Sequence, residues 1–141
     1  MVRKYELKNS APTLEEYKYL CEAVGWTNYM NFEVVKTSLT NSIHCITAYD
    51  HEQIIGMGRI VGDGAIYFYI QDIVVHPDYQ NKGIAKDIMN LLFSYLKQNA
   101  PDKAFIGLFA SQGKESFYEK YDFKNYSPSM TVMFTVISKE K

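Results

Sequence analysis

Arginine is almost missing from this sequence. Arg3 and Arg59 are the only two, and 15 basic residues stand against 16 acidic ones for a formal net charge of -1. That leaves no broad cationic field for a polyphosphate backbone, so nucleic acid is not the expected partner. Cysteine is scarce as well. Cys21 and Cys45 lie far apart with no CxxC or Cys/His ligand spacing, so a reduced protein without a metal site is expected. No apolar run approaches the roughly 18 residues of a membrane span. The longest candidates are broken by Gly56, Gly58, Gly62 and Asp63, and Met1-Val2-Arg3-Lys4 leads into no signal-like stretch. A cytoplasmic location with no membrane partner follows as the expectation. Linkers, repeats and low-complexity segments are also lacking, and a chain of 141 residues has enough material for one core but not two. One domain over residues 1–141 is therefore expected. What the sequence has in excess is aromatic: 15% of residues, with 12 tyrosines, suited either to a stacked ligand pocket or to a tyrosine-rich core and strand surface.

Thr13-Leu14-Glu15-Glu16 after Pro12 is a capping box, because the Thr13 hydroxyl and Glu16 carboxylate can each satisfy the other's free backbone N–H. Leu14, Tyr17, Cys21 and Val24 follow at helical spacing, and Gly25 supplies a permissive helix end. A second short helix is predicted from Asn31, with Phe32, Val35 and Leu39 on one face. Residues 43–49 and 53–61 read as a strand hairpin turning at Asp50-His51-Glu52. Residues 65–75, nearly all β-branched or aromatic, read as a central strand covered on both faces. After His76-Pro77, the stripe Ile84, Ala85, Ile88, Met89, Leu92, Tyr95 and Leu96 marks a long helix. A short buried strand over 104–110 should then run parallel to the central one, since a helical crossover separates them. Ser111 is the expected cap of a short helix carrying Phe117, Tyr118 and Tyr121, and a last strand is predicted over 130–137. The fold class is α+β (mixed α/β) around one mostly antiparallel sheet.

The chemistry concentrates where the central strand runs into Gln80-Asn81-Lys82-Gly83-Ile84-Ala85-Lys86. A helix start leaves about four N–H groups without intrahelical partners and carries partial positive charge, so a glycine-bearing loop there can hold a pyrophosphate. Gly83 permits close approach, Ala85 keeps the next position small, and Lys82 and Lys86 add charge. The loop lacks the Gly-Lys-Ser/Thr of a Walker A motif and the three glycines of a dinucleotide fingerprint. Of the three histidines, none has a Ser or Cys partner at a telling spacing, so a hydrolase dyad is not expected.

This loop, preceded by Ile70-Gln71-Asp72-Ile73-Val74-Val75-His76-Pro77 and followed by Phe117-Tyr118-Glu119-Lys120-Tyr121-Asp122-Phe123, resembles the GNAT superfamily of acetyl-CoA-dependent N-acetyltransferases. The order of elements from Thr13 to Ile137 is similar to that family's fold, in which the parallel strand pair splays apart. The resemblance implies acetyl-CoA as cosubstrate. Its pyrophosphate would rest on the N–H groups of Gln80, Asn81, Lys82, Gly83, Ile84, Ala85 and Lys86, and its pantetheine would pair with Ile73 and Val75. The N–H of Val74 or a neighbour would polarise the thioester carbonyl, and Tyr118 would protonate the departing sulfur as general acid.

Two departures accompany the resemblance. Asp122 stands where glycine is commoner, at a left-handed helix end that Asp tolerates. Tyr69 stands where some members carry a glutamate base. Asp72 acting through a water is the remaining carboxylate candidate, with a structural hydrogen-bonding role as its alternative, and strict alternation would set it on the opposite face from Tyr69. The implied acceptor is a primary amine of a small molecule or peptide, bordered by Trp26, Tyr29, Tyr67, Tyr69 and residues 125–129, whose aromatic character suits an apolar or aromatic amine. The alternative is a non-catalytic acyl-CoA-binding or regulatory module of the same fold. Use of the last strand as an edge for a homodimer is compatible with either.

Overall fold

The computed structural model describes residues 4–139, apart from the side chain of Tyr29. The chain divides into two compact units, one up to Leu108 and one from Phe109 onward. The first holds β1 (Glu6–Lys8), α1 (Leu14–Ala23), α2 (Phe32–Thr40), β2 (His44–Asp50), β3 (Gln53–Gly62), β4 (Tyr67–Val75), α3 (Ile84–Asn99) and β5 (Phe105–Gly107). The sheet order is β1-β2-β3-β4-β5. Every pair is antiparallel except β4–β5, which is parallel.

Local signals explain the helices. The Glu16 N–H donates to Thr13 Oγ1 at 3.1 Å and the Thr13 N–H to Glu16 Oε1 at 2.9 Å, closing the capping box. Asn31 caps α2 through the Glu33 N–H at 3.1 Å. These two helices bury Tyr17, Leu20, Cys21, Val35 and Leu39 against Tyr49, Ile54, Met57 and Val74 of the sheet. On the other face α3 buries Ile84, Ile88, Met89, Leu92 and Leu96. Gly58 makes its close approach possible: a Cβ there would lie 2.8 Å from Ile88 Cγ2 and 2.6 Å from Ile73 Cδ1.

Five expectations change. β1 precedes the first helix; three residues of alternating Glu-Leu-Lys are too short to signal a strand before their pairing with β2 exists. Only the second half of β4 is covered on both faces, because Tyr67, Tyr69 and Gln71 are exposed while Phe68 and Ile70 are buried. β5 is three residues long, and its Phe105 is 46% exposed rather than buried. In the second unit, Ser111 closes a turn with its carbonyl, accepting from the Lys114 N–H at 2.9 Å. The helix α4 (Glu115–Glu119) starts after Lys114 with no side-chain cap. Residues 130–137 form no strand and are exposed; propensity alone supplies no ladder partner. Asp122 does take the left-handed conformation, with φ 70°.

The sheet's main irregularity is at Asp72. Met57 pairs with Val74 and Arg59 with Gln71, so Asp72 and Ile73 together oppose Gly58 alone. This is a β-bulge, with Asp72 at φ 58°. It overrides strict alternation. Tyr69 and Gln71 register with Val61 and Arg59, and Asp72 bonds to Arg59 as well. Asp72 therefore shares the α1 and α2 face with Tyr69 instead of opposing it.

Candidate active site

β5 pairs with β4 only from Tyr67 to Tyr69, yet β4 continues to Val75. Beyond Tyr69 the strand leaves its edge open within this unit. The His76 N–H donates to the Ile55 carbonyl of β3 at 2.8 Å, and alternation from there turns the polar groups of Ile73 and Val75 away from β3 and those of Val74 toward it. The Val75 carbonyl accepts from Gln80 Nε2 at 3.0 Å, which ties the following loop to the strand end.

That loop is shaped by its backbone. His76 Nδ1 accepts the Asp78 N–H at 3.1 Å, and the Tyr79 hydroxyl donates to Asp50. Asn81 and Gly83 then turn through φ 63° and 86°. The first intrahelical bond of α3 runs from the Asp87 N–H to the Gly83 carbonyl at 3.0 Å, and Gly83 has no capping side chain. The N–H groups of Ile84, Ala85 and Lys86 precede that bond, at the positive end of a 16-residue helix. Among the described residues, no atom beyond Gly83 and its chain neighbours lies within 4 Å of where a Gly83 Cβ would project. Gln80, Asn81, Lys82 and Lys86 are exposed around the turn.

Asp72 is engaged elsewhere. Its Oδ2 accepts Arg59 Nε at 2.8 Å and the Tyr17 hydroxyl at 2.9 Å. The two side chains of the ion pair are only 9% and 6% exposed for Arg59 and Asp72. A carboxylate oxygen holding two donors under α1 is poorly placed to receive a proton from an acceptor. Burial, reinforced by Asp72, raises the Tyr17 pKa above the ordinary phenol value, and burial pushes the Cys21 thiol up to about 11. Arg59 belongs to no motif in the sequence, although a lone arginine within an apolar strand segment is a signal of a buried ion pair.

The aromatic candidates separate. Tyr67 and Tyr69 flank Phe105, with ring centroids 5.7 and 5.9 Å away. Gly107 makes room beside them, since a Cβ there would meet Phe105 at 2.9 Å and Tyr69 at 3.1 Å. Trp26 instead packs against the core beneath α1 and α2, and the Tyr29 side chain lies outside the described residues. In the second unit Tyr118 sits edge-on to Phe117 at 5.0 Å and to Phe123 at 6.3 Å. Burial raises its pKa, which keeps the phenol protonated. In the 125–129 segment the Ser127 N–H donates to Asn125 Oδ1 at 3.0 Å, and its residues are exposed.

The family model described as an acetyltransferase (GNAT) domain matches residues 13–133. The chain belongs to the GNAT acetyltransferase family. Its similarity to other members extends over most of its length. Uncharacterized N-acetyltransferase ycf52 of Pyropia yezoensis is 33% identical over 123 residues, which are 84% of this chain and 69% of that protein. The ycf52-like protein of Prochlorococcus marinus is 33% identical over 110 residues, 75% of this chain and 59% of its own length. The chain thus spans well under the full length of these curated relatives. Among solved structures, a Staphylococcus aureus protein described as a probable acetyltransferase superposes with a TM-score of 0.87 at 28% identity, covering 94% of this chain and 99% of that one. A GNAT family acetyltransferase of Streptococcus pneumoniae gives 0.77 at 27%, covering 96% and 99%. The GNAT fold accounts for the mixed sheet with its single parallel pair and identifies the chain as an acyltransferase by family. Among the described residues no helix is long and apolar enough to cross a membrane, and no cluster of His, Cys, Asp and Glu is grouped to hold a metal ion.

Proposed function

We propose that this chain transfers the acetyl group of acetyl-CoA to a primary amine of a small molecule or peptide, by direct attack in a ternary complex. The observation that carries the reading is the open edge of β4 beyond Tyr69, running into the uncapped start of α3. An extended pantetheine can add to such an edge as a strand would, while the helix start takes the pyrophosphate. Gln80, Asn81, Lys82, Gly83, Ile84, Ala85 and Lys86 make up the phosphate loop. Ile73 and Val75 offer the backbone groups on the open side, and Ile73 takes the carbonyl-polarising role in place of Val74, whose N–H turns toward β3.

The amine nitrogen attacks the thioester carbonyl carbon and loses its proton to water. The C–S bond then breaks, and the sulfur leaves with the Tyr118 phenol proton, which water restores. No protein carboxylate is assigned as base, since Asp72 is committed to Arg59 and Tyr17. Tyr67 and Tyr69, with Phe105 between them, form the acceptor-facing wall in this proposal. Their exposed rings suit an apolar or aromatic amine, or the cation of a protonated one.

Purified protein mixed with acetyl-CoA and a panel of aryl, alkyl and peptide amines should release free thiol. CoA binding without thiol release for any amine would favour the non-catalytic acyl-CoA module. Gly83→Ala tests the loop. Alanine at φ 86° carries a conformational cost of about 1–2 kcal/mol; the empty loop can escape it by relaxing and the loaded loop cannot, so acetyl-CoA should bind about 5- to 30-fold more weakly by calorimetry. An unchanged Kd would remove the loop from the binding site.

A further inference from the structure

We propose that Arg59 and Asp72 are a positioning pair that holds the β4 bulge and thereby aims the Ile73 N–H at the thioester carbonyl; this rests on the acetyl transfer proposed above. The bulge decides which backbone groups reach the open edge. Before it, the Ile66 carbonyl accepts from the Phe105 N–H of β5 at 2.7 Å, while the Tyr67 carbonyl accepts from the Asp63 N–H at 3.1 Å on the β3 side. Even-numbered residues therefore face β5. Uninterrupted alternation would send the His76 N–H to that side too, but it donates to Ile55 of β3. One extra residue in the strand has exchanged the two sets, so that Ile73 and Val75 face outward.

That exchange depends on a non-glycine residue kept at φ 58°, a conformation that persists only where its surroundings over-determine it. The constraints on Asp72 come from three elements. Arg59 Nε of β3 and the Tyr17 hydroxyl of α1 both donate to Oδ2. Arg59 in turn donates through Nη1 to Ser42 Oγ at 2.9 Å and to the Ser38 carbonyl at 3.2 Å, anchoring the guanidinium at the end of α2. On the opposite face Ile73 is seated over Gly58, so the residue after the bulge has little room to turn once Asp72 is held.

The test needs no knowledge of the acceptor. Isotope-edited infrared spectroscopy of carbonyl-labelled acetyl-CoA reads the polarisation directly, because a donor on the carbonyl oxygen lowers its stretching frequency on binding. In Arg59→Met/Asp72→Gly no buried charge is left unpaired, and glycine still permits the positive φ. This variant should bind acetyl-CoA within about threefold of wild type yet lose most of the frequency lowering, and with any accepted amine its kcat should fall about tenfold at little-changed KM. Tyr17→Phe removes one of the two donors on Oδ2 and should lose part of the lowering, which keeps the proposal testable if the double variant does not fold. If wild type shows the lowering and the folded variants retain all of it, the positioning role is overturned. If wild type shows no lowering, the carbonyl-polarising reading itself fails, and the positioning role falls with it.

Discussion

Arg59→Ala is expected to destabilise the fold by about 3–5 kcal/mol, because it strands a buried carboxylate that now shares its oxygen between two donors. The Asp72 side chain is 6% exposed, so water cannot replace the guanidinium without opening the packing of α1 against the sheet. The Ser42 hydroxyl and Ser38 carbonyl lose their Arg59 donors in the same change. Urea unfolding at neutral pH measures the effect, and the Arg59→Met/Asp72→Gly double variant should recover most of the loss by removing the stranded charge. A loss below about 1 kcal/mol, the range of exposed ion pairs, would mean that the pair is open to solvent and that the bulge is held by packing alone.

Tyr118→Phe is the corresponding test of chemistry. Loss of a general acid typically costs roughly 10²–10⁴ in turnover, and kcat should drop within that range, while acetyl-CoA affinity, which the proposed function assigns to backbone groups, should stay within about threefold. The ring's edge-on contacts with Phe117 and Phe123 are kept by phenylalanine, so stability should hardly change. The sign of the pH dependence follows from burial. A phenol whose pKa is raised remains a proton donor throughout the neutral range, and its contribution should be lost only on strongly alkaline titration, above the pKa of an ordinary tyrosine. An unchanged rate in the phenylalanine variant would leave the sulfur to be protonated by water.

Much of this fold is legible in short windows of sequence. Thr13 and Glu16 announce α1 because a capping box satisfies its own backbone donors within four residues. The apolar stripe from Ile84 to Leu96 announces α3 because helical periodicity is a local property. The Gln80 to Lys86 turn is readable for the same reason: a glycine, a helix start and two lysines, the phosphate cradle of the proposed function, need no distant help to be recognised. β1 and the 130–137 segment mark the limit. A strand is half of a pair, so Glu6–Lys8 becomes one through β2, and the far more strand-like run from Met130 to Ile137 does not become one here.

The Asp72 bulge lies past that limit. Nothing between Tyr67 and Val75 signals an extra residue, and strict alternation assigns Asp72 to the wrong face. The Asp72 carboxylate at this irregularity is bonded to partners 13 and 55 residues away along the chain, Arg59 and Tyr17. The sequence by itself therefore determined the helices, the strand hairpin, the glycine turn ahead of α3 and the resemblance to the family. Only the tertiary structure decided that Asp72 is held by a buried arginine, and which strand N–H groups face the open edge. Caps, periodicity and turns are set by neighbours within about four residues, whereas the parity of a strand and the pairing of a buried charge are set by what packs across it.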